Sequence, residues 1–136
     1  MEPDNINGAE MRLVKAVKNI FEAEIDKNTP GASQLRRVLD LMVALEPDPD
    51  KPHPETVPGC RHLSRVLDMA ETGPAAAVAA AIRELEPTLV WTQNPRYNSD
   101  NKGADFMDNY GWSALGLTGS SKMSFGVLLL GPGLTY

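Results

Sequence analysis

A chain of 136 residues and 14.8 kDa is long enough for one domain with a core and is marginal for two. Hydrophobic residues make up 42% of it and charged residues 23%, which is ordinary globular usage and excludes a wholly disordered chain. Thirteen Lys and Arg residues against eighteen Asp and Glu residues give a net charge of −5, which disfavours binding to nucleic-acid phosphates.

Two further features concern the compartment. The first ten residues, MEPDNINGAE, are acidic and polar, unlike a secretory signal, and no apolar run approaches the roughly 20 residues that a membrane helix requires. A single cysteine, Cys60, excludes an intrachain disulfide and fits a reducing compartment. We therefore predict a cytoplasmic protein that binds neither nucleic acid nor membrane.

The first part of the chain has the period of helices. Apolar residues recur at three- and four-residue steps over residues 9–27, and again after the break Asn28-Thr29-Pro30-Gly31. Thr29 followed by Pro30 is typical of an N-cap with proline at the first helical position, so we predict that the second helix starts there. Each helix carries one narrow apolar stripe, and helices this short are marginal alone, so we expect them to pack over a sheet.

Composition changes abruptly over residues 46–59, where prolines alternate with charged residues. Because proline lacks an amide donor and biases its predecessor away from helix, this stretch is predicted to be an extended loop. A helix is predicted to resume near Cys60, and an alanine-rich helix is predicted from Ala75 to Leu85. The helical region thus covers residues 1–87, with its proline-rich loop at 46–59.

Past Pro87 the period becomes that of strands. The predicted elements are a short strand at 88–92, a surface loop at 93–103, strands at 110–117 and 122–130 around a turn at 118–121, and the start of another strand at 134–136. Helices followed by antiparallel strands define an α+β arrangement. Because strands that are apolar on both faces need further strands to cover them, we expect the domain of residues 88–136 to continue past Tyr136.

The chain carries few groups with the spacing of a catalytic or metal site. Cys60 and His62 lie two residues apart on a predicted helix and point in different directions, so we predict no metal site there. Cys60 is predicted to be a small buried thiol. The Asp and Asn residues at 98–108 lack the calcium-loop pattern and are predicted to form a polar loop. The aromatic residues are expected to be core or barrel-lining side chains; they are Trp91, Tyr110, Trp112 and Phe125.

The C-terminal third carries a resemblance to a known family. Two runs joined by a glycine-containing turn carry it: Asn109-Tyr110-Gly111-Trp112 and Phe125-Gly126-Val127-Leu128-Leu129-Leu130-Gly131-Pro132-Gly133-Leu134-Thr135-Tyr136. Together they resemble the segment that precedes the first metal-binding motif of the cupin-type dimethylsulfoniopropionate lyases. Members of that family also place a helical region before the barrel. The resemblance covers about residues 91–136 and implies the first antiparallel strands of an incomplete cupin-like β-barrel.

The resemblance implies that the protein is part of a carbon–sulfur lyase. The family converts dimethylsulfoniopropionate, a small-molecule substrate, to dimethyl sulfide and acrylate by β-elimination. It uses a divalent metal ion (zinc, iron or manganese) held by a His-x-His…Glu…Tyr cluster and a later histidine, which would lie beyond Tyr136. Residues 1–136 alone are therefore expected to bind no metal and to be inactive. The resemblance places Tyr110 and Trp112 in the substrate pocket and leaves two roles for Tyr136: an ordinary strand aromatic that covers the barrel mouth, or a phenol that reaches the pocket and orients the substrate or gates its entry.

A protein of a different class fits the same pattern. A non-catalytic helical interaction module could use its strands to complete a sheet with a partner chain. The predicted strand 122–130 carries charge only at Lys122, so its edge would also allow a homodimer. A His-x-His…Glu stretch after Tyr136 in the parent reading frame would favour the lyase, and its absence would favour the module.

Overall fold

A computed structural model describes residues 4–48, 50, 52–118 and 123–135. Over these residues the fold is α+β with helices dominating, which confirms the predicted class. The helices are α1 Asp4–Asp26, α2 Ala32–Met42, α3 Leu63–Ala70, α4 Ala76–Leu85, α5 Ser99–Lys102 and α6 Ala104–Asp108, with 3₁₀ helices at Pro58–His62 and Glu86–Thr88. The strands are β1 Glu46–Pro47, β2 Tyr110–Ala114, β3 Leu117–Thr118 and β4 Gly126–Leu130. No described helix is long and apolar enough to cross a membrane.

The sheets are small and antiparallel. Strands β2 and β4 pair over five residues, from Tyr110 opposite Leu130 to Ala114 opposite Gly126. On the other edge of β2, Thr92 makes a bridge to Trp112, with its amide donating to the Trp112 carbonyl at 2.7 Å. Strands β1 and β3 form a separate pair, so the proline-rich stretch begins with a strand. The described strands do not close on themselves, which is compatible with an incomplete barrel.

One buried cluster joins the helices to the sheet. It includes Leu13 of α1, Leu67 of α3, Ile82 and Leu85 of α4, and Leu129 of β4. A second cluster brings α1 and α2 together around Val14, Met42 and Leu45, with Leu117 and Phe125 packed against it. The expectation that the helices pack over the sheet is confirmed, since their apolar stripes are covered by strand residues as well as by one another.

Several boundaries differ from the predicted ones. The predicted N-cap at Thr29 is wrong: Gly31, in the left-handed region at φ 93°, precedes helix α2, which begins at Ala32. The Thr29 hydroxyl instead donates to the Glu24 carbonyl at 3.4 Å, and so belongs to the end of α1. Cys60, predicted to be buried, is half-buried and packs against the main cluster.

The predicted strands also begin late or are shorter than expected. Residues 88–92 were predicted to form one strand, but they follow a 3₁₀ turn and make only single bridges at Val90 and Thr92. The predicted strand 122–130 has ladder pairing only from Gly126, and Lys122 lies outside the described residues. Leu134 and Thr135 are not in a strand, and the predicted loop 93–103 contains helix α5, because Asn98 and Asn101 form a capping box.

Salt bridges on the surface connect the helices. Arg12 of α1 donates through Nε to Glu84 of α4 at 3.0 Å, and this hydrogen bond raises the pKa of Arg12. Arg83 of α4 pairs with Asp68 of α3. These pairs are exposed and fix the relative positions of the helices more than they stabilise the fold.

The core that the helices share with strand β4 leads to a prediction about stability. Leu13 is 2% exposed in the cluster that contains Leu129, so Leu13→Ala should lower the free energy of unfolding by about 2–5 kcal/mol. Ile20, on the same helix but 37% exposed, is the control, and Ile20→Ala should cost less than about 1 kcal/mol. Urea denaturation measures both. Equal losses for the two variants would contradict the shared core.

Candidate active site

The β2–β4 sheet has two unlike faces. Leu129 and Val127 point to the helices, and because side chains alternate along a strand, Trp112 and its register partner Leu128 point the other way. On this second face lies a cleft of about 480 Å³. Its lining residues are Thr92, Gln93, Asn94, Pro95, Tyr110, Trp112 and Leu128. Leu128 is 43% exposed, which leaves an apolar floor accessible from solvent.

A second cavity of about 320 Å³ lies across Trp112 from the cleft. Trp112 and Thr92 line both spaces, so the indole is part of the wall between them. Glu10, Asp48 and Asp50 line this second cavity, and no Lys or Arg among the described residues does. No Asp, Glu, Lys or Arg among the described residues lines the cleft itself.

The wall of the cleft is held by an aromatic and amide network. Tyr110 is 2% exposed; its ring centroid lies 4.9 Å from that of Phe106 and 5.9 Å from that of Tyr97. The Asn94 amide donates to the Tyr110 hydroxyl at 3.1 Å, and the Gln93 side chain donates to the Tyr110 carbonyl at 3.0 Å. The loop at 93–94 is thereby tied to β2, and this fixes the wall of the cleft.

The residues predicted from the sequence are distributed as follows. Tyr110 and Trp112 both line the cleft, Tyr110 as a buried support and Trp112 as a partly exposed wall. Tyr136 lies outside the described residues, which end at Thr135. The substrate-binding role of all three stays a prediction.

Sequence reasoning missed Asn109, which joins three segments. Its Oδ1 accepts from Arg61 Nη2 at 2.6 Å and lies 2.7 Å from His62 Nε2, while its Nδ2 donates to the Asp105 carbonyl at 2.6 Å. Since an amide oxygen only accepts, His62 carries a proton on Nε2. The Asn109 carbonyl also accepts from the amide of Gly131, just past β4. No spacing rule marks this residue; only its place directly before a strand does.

Gly131 shows how closely these segments approach. A Cβ at this position would come 2.8 Å from His62 Nε2 and 2.9 Å from Asn109 Cβ. Any larger residue would therefore push the end of β4 away from the 3₁₀ helix at Pro58–His62. Asn109, His62 and Gly131 together determine where the chain leaves the sheet.

Metal ligands are a separate question. Across residues 4–48, 50, 52–118 and 123–135, no three His, Cys, Asp or Glu side chains come together in a group that could hold a metal ion. The described residues therefore do not fit the divalent metal that the resemblance implies. What they do form is a cleft with an aromatic wall, an apolar floor and an acidic neighbouring cavity.

Comparison with known proteins connects this chain to a family. The model of the dimethylsulfoniopropionate lyase family matches residues 31–136. The chain therefore belongs to the dimethylsulfoniopropionate lyase family. The match begins just before α2, so it extends well upstream of the residues that carry the resemblance in the sequence. No curated protein and no solved structure matched the chain.

The Asn109 network makes a prediction at the end of β4. Asn109→Leu removes the acceptor for Arg61 and His62, and should lower the free energy of unfolding by about 1–3 kcal/mol. It should also speed hydrogen exchange of the Gly131 amide, which donates a hydrogen bond to the main-chain carbonyl of Asn109. Asn19→Leu, at an exposed position of α1, is the matched control. Unchanged exchange at Gly131 in Asn109→Leu would show that the network does not hold this segment.

Proposed function

We propose that residues 1–136 belong to a lyase that cleaves dimethylsulfoniopropionate to dimethyl sulfide and acrylate. Family membership over residues 31–136 is the observation that carries this proposal. In the reaction a base removes the proton α to the carboxylate. The released electron pair forms the carbon–carbon double bond, and the carbon–sulfur bond breaks with its pair going to sulfur. The sulfonium thus leaves as neutral dimethyl sulfide, and the proton stays on the base.

The cleft suits a substrate of this kind. A sulfonium group is a weakly hydrated cation with apolar methyl groups, and an indole face attracts such a cation. Trp112 offers that face, and Leu128 offers apolar contact. In this proposal Trp112 and the wall supported by Tyr110 bind and orient the substrate, and exclude water from around it.

Tyr136 is proposed to orient the substrate or to gate the pocket. A phenol combines a ring that packs on apolar walls with a hydroxyl that donates or accepts a hydrogen bond. Since a free phenol titrates near ~10, orientation or gating suits Tyr136 better than proton transfer at neutral pH. The base is assigned to the metal-site tyrosine of the family, not to a residue of this chain.

Metal dependence is also part of the proposal. In the family a divalent cation stabilises the negative charge that develops next to the carboxylate. Because no described group of residues could hold such an ion, we propose that residues 1–136 contribute the helical layer and the cleft and do not carry out elimination alone.

An acrylate-release assay tests the proposed function. The protein encoded by the complete reading frame containing residues 1–136, supplied with Zn²⁺, Fe²⁺ or Mn²⁺ in turn, should convert dimethylsulfoniopropionate to equimolar acrylate and dimethyl sulfide. Residues 1–136 alone should show no turnover with any of them. No product from the complete protein with all three metals would contradict the lyase and favour the helical interaction module.

Tyr136→Phe in the active protein tests the role of Tyr136. Removing one hydroxyl while keeping the ring should lower kcat/KM by more than about twofold, with the melting temperature unchanged. A loss within about twofold, below roughly 0.4 kcal/mol of transition-state stabilisation, would make Tyr136 structural only. Thr135→Val, which removes a neighbouring exposed hydroxyl, is the control and should leave kcat/KM unchanged.

A further inference from the structure

Gly126 lies on the same face of the sheet as Trp112. Gly126 is the register partner of Ala114, and Trp112 precedes Ala114 by two residues, so Trp112 and Gly126 are diagonal neighbours across the β2–β4 pair. Diagonal neighbours are within reach of an aromatic side chain. The Trp112 indole uses that reach and lies over Gly126.

The contact requires a glycine. A Cβ at position 126 would come 2.5 Å from Cη2 and 2.7 Å from Cζ2 of Trp112, and 2.6 Å from the Ser113 carbonyl oxygen. Real Cβ atoms do not approach other heavy atoms this closely, so any other residue at 126 would displace the indole and would also shift the main chain at Ser113. The backbone of Gly126 is not in the left-handed region, so its conformation does not require a glycine. What requires the glycine is the close approach of these atoms.

Where the indole would go follows from its neighbours. On this face the register partner of Trp112 is Leu128, which is 43% exposed on the floor of the cleft. We expect an indole that leaves its position over Gly126 to turn toward its register partner Leu128 and so to fill the cleft. An indole that stays over Gly126 leaves the cleft open and separates it from the acidic cavity.

We infer that Gly126 determines substrate size selectivity through Trp112. By leaving room for the indole, Gly126 keeps the cleft open beside Leu128, and the indole sets how large a sulfonium group the cleft accepts. This inference rests on the proposed function, since it takes the cleft as the substrate site. It adds a positioning residue that contacts no substrate, and a size limit that family membership does not give.

Ligand binding to the chain of residues 1–136 tests the inference without turnover. Calorimetry would measure the Kd of dimethylsulfoniopropionate and of its diethyl homologue, which is larger by two methylene groups. The unsubstituted chain should prefer the dimethyl compound. Trp112→Ala should join the two cavities and shift the Kd ratio toward the diethyl compound by about tenfold or more, the range that a methylene contributes in a pocket.

The glycine is tested by two variants and a control. Gly126→Ala should weaken binding of both compounds by about tenfold or more, because the displaced indole fills the cleft. Gly126→Ala combined with Trp112→Ala should bind more tightly than Gly126→Ala alone, since no ring remains to be displaced and the contact with the Ser113 carbonyl oxygen is common to both variants. Gly73→Ala, where the nearest atom to a Cβ is the Ala70 carbonyl oxygen at 3.9 Å, should leave both Kd values unchanged.

The outcomes separate this inference from the proposed function. An unchanged Kd ratio in Trp112→Ala overturns the inference, even where the acrylate assay establishes the lyase. The absence of binding of either compound to the unsubstituted chain overturns it as well, whatever the acrylate assay shows. If Gly126→Ala loses its circular dichroism signal because of the Ser113 contact, the Kd ratio in Trp112→Ala decides alone.

Discussion

The packing of helices α1 and α4 on one face of the β2–β4 sheet is the contact on which the rest of the structure depends. Strand β4 is apolar on both faces, so a two-stranded sheet made from it is not stable in water without a cover. Leu13 and Ile82 provide that cover from the helices, and Leu129 meets them from the strand. Once the helices occupy this face, the opposite face with Trp112 and Leu128 is left for a cleft.

The opposite face and the end of β4 are held by contacts with loops and with short helices. The loop at 93–94 is tied to Tyr110, and the 3₁₀ helix at Pro58–His62 is tied to Asn109. Two glycines allow further close contacts: the Trp112 indole lies over Gly126, and the His62 ring lies beside Gly131. The cleft and the path of the chain out of β4 are therefore set by the same few residues that connect the sheet to its surroundings.

Periodicity alone predicted the large elements but not the tertiary details. Helices α1 and α4 carry clear 3.6-residue stripes, and β2 and β4 carry apolar runs, so their existence follows from local patterns. The pairing of β1 with β3 joins residues far apart in sequence and leaves no local signal. The short helix α5 was missed because its capping box consists of polar residues that are equally typical of loops.

The site was predictable to a similar extent. Tyr110 and Trp112 could be singled out because aromatic residues in a strand before a glycine-rich turn carry the family resemblance. Asn109 and Gly126 lie in the same stretches, but their structural roles could not be predicted, because these come from contacts with side chains of other segments, those of Arg61 and Trp112. The acidic cavity likewise assembles from Glu10 and the residues near Asp48, which no motif connects.

The central claim is that the face carrying Trp112 binds the substrate, and the two tryptophans of the chain test it directly. In a ¹H–¹⁵N spectrum each indole Nε1–H gives its own signal. Titration with dimethylsulfoniopropionate should move the Trp112 signal in a saturable way and leave that of Trp91, which is 3% exposed in the core, in place. A Trp112 signal that stays fixed at saturating ligand would contradict the account.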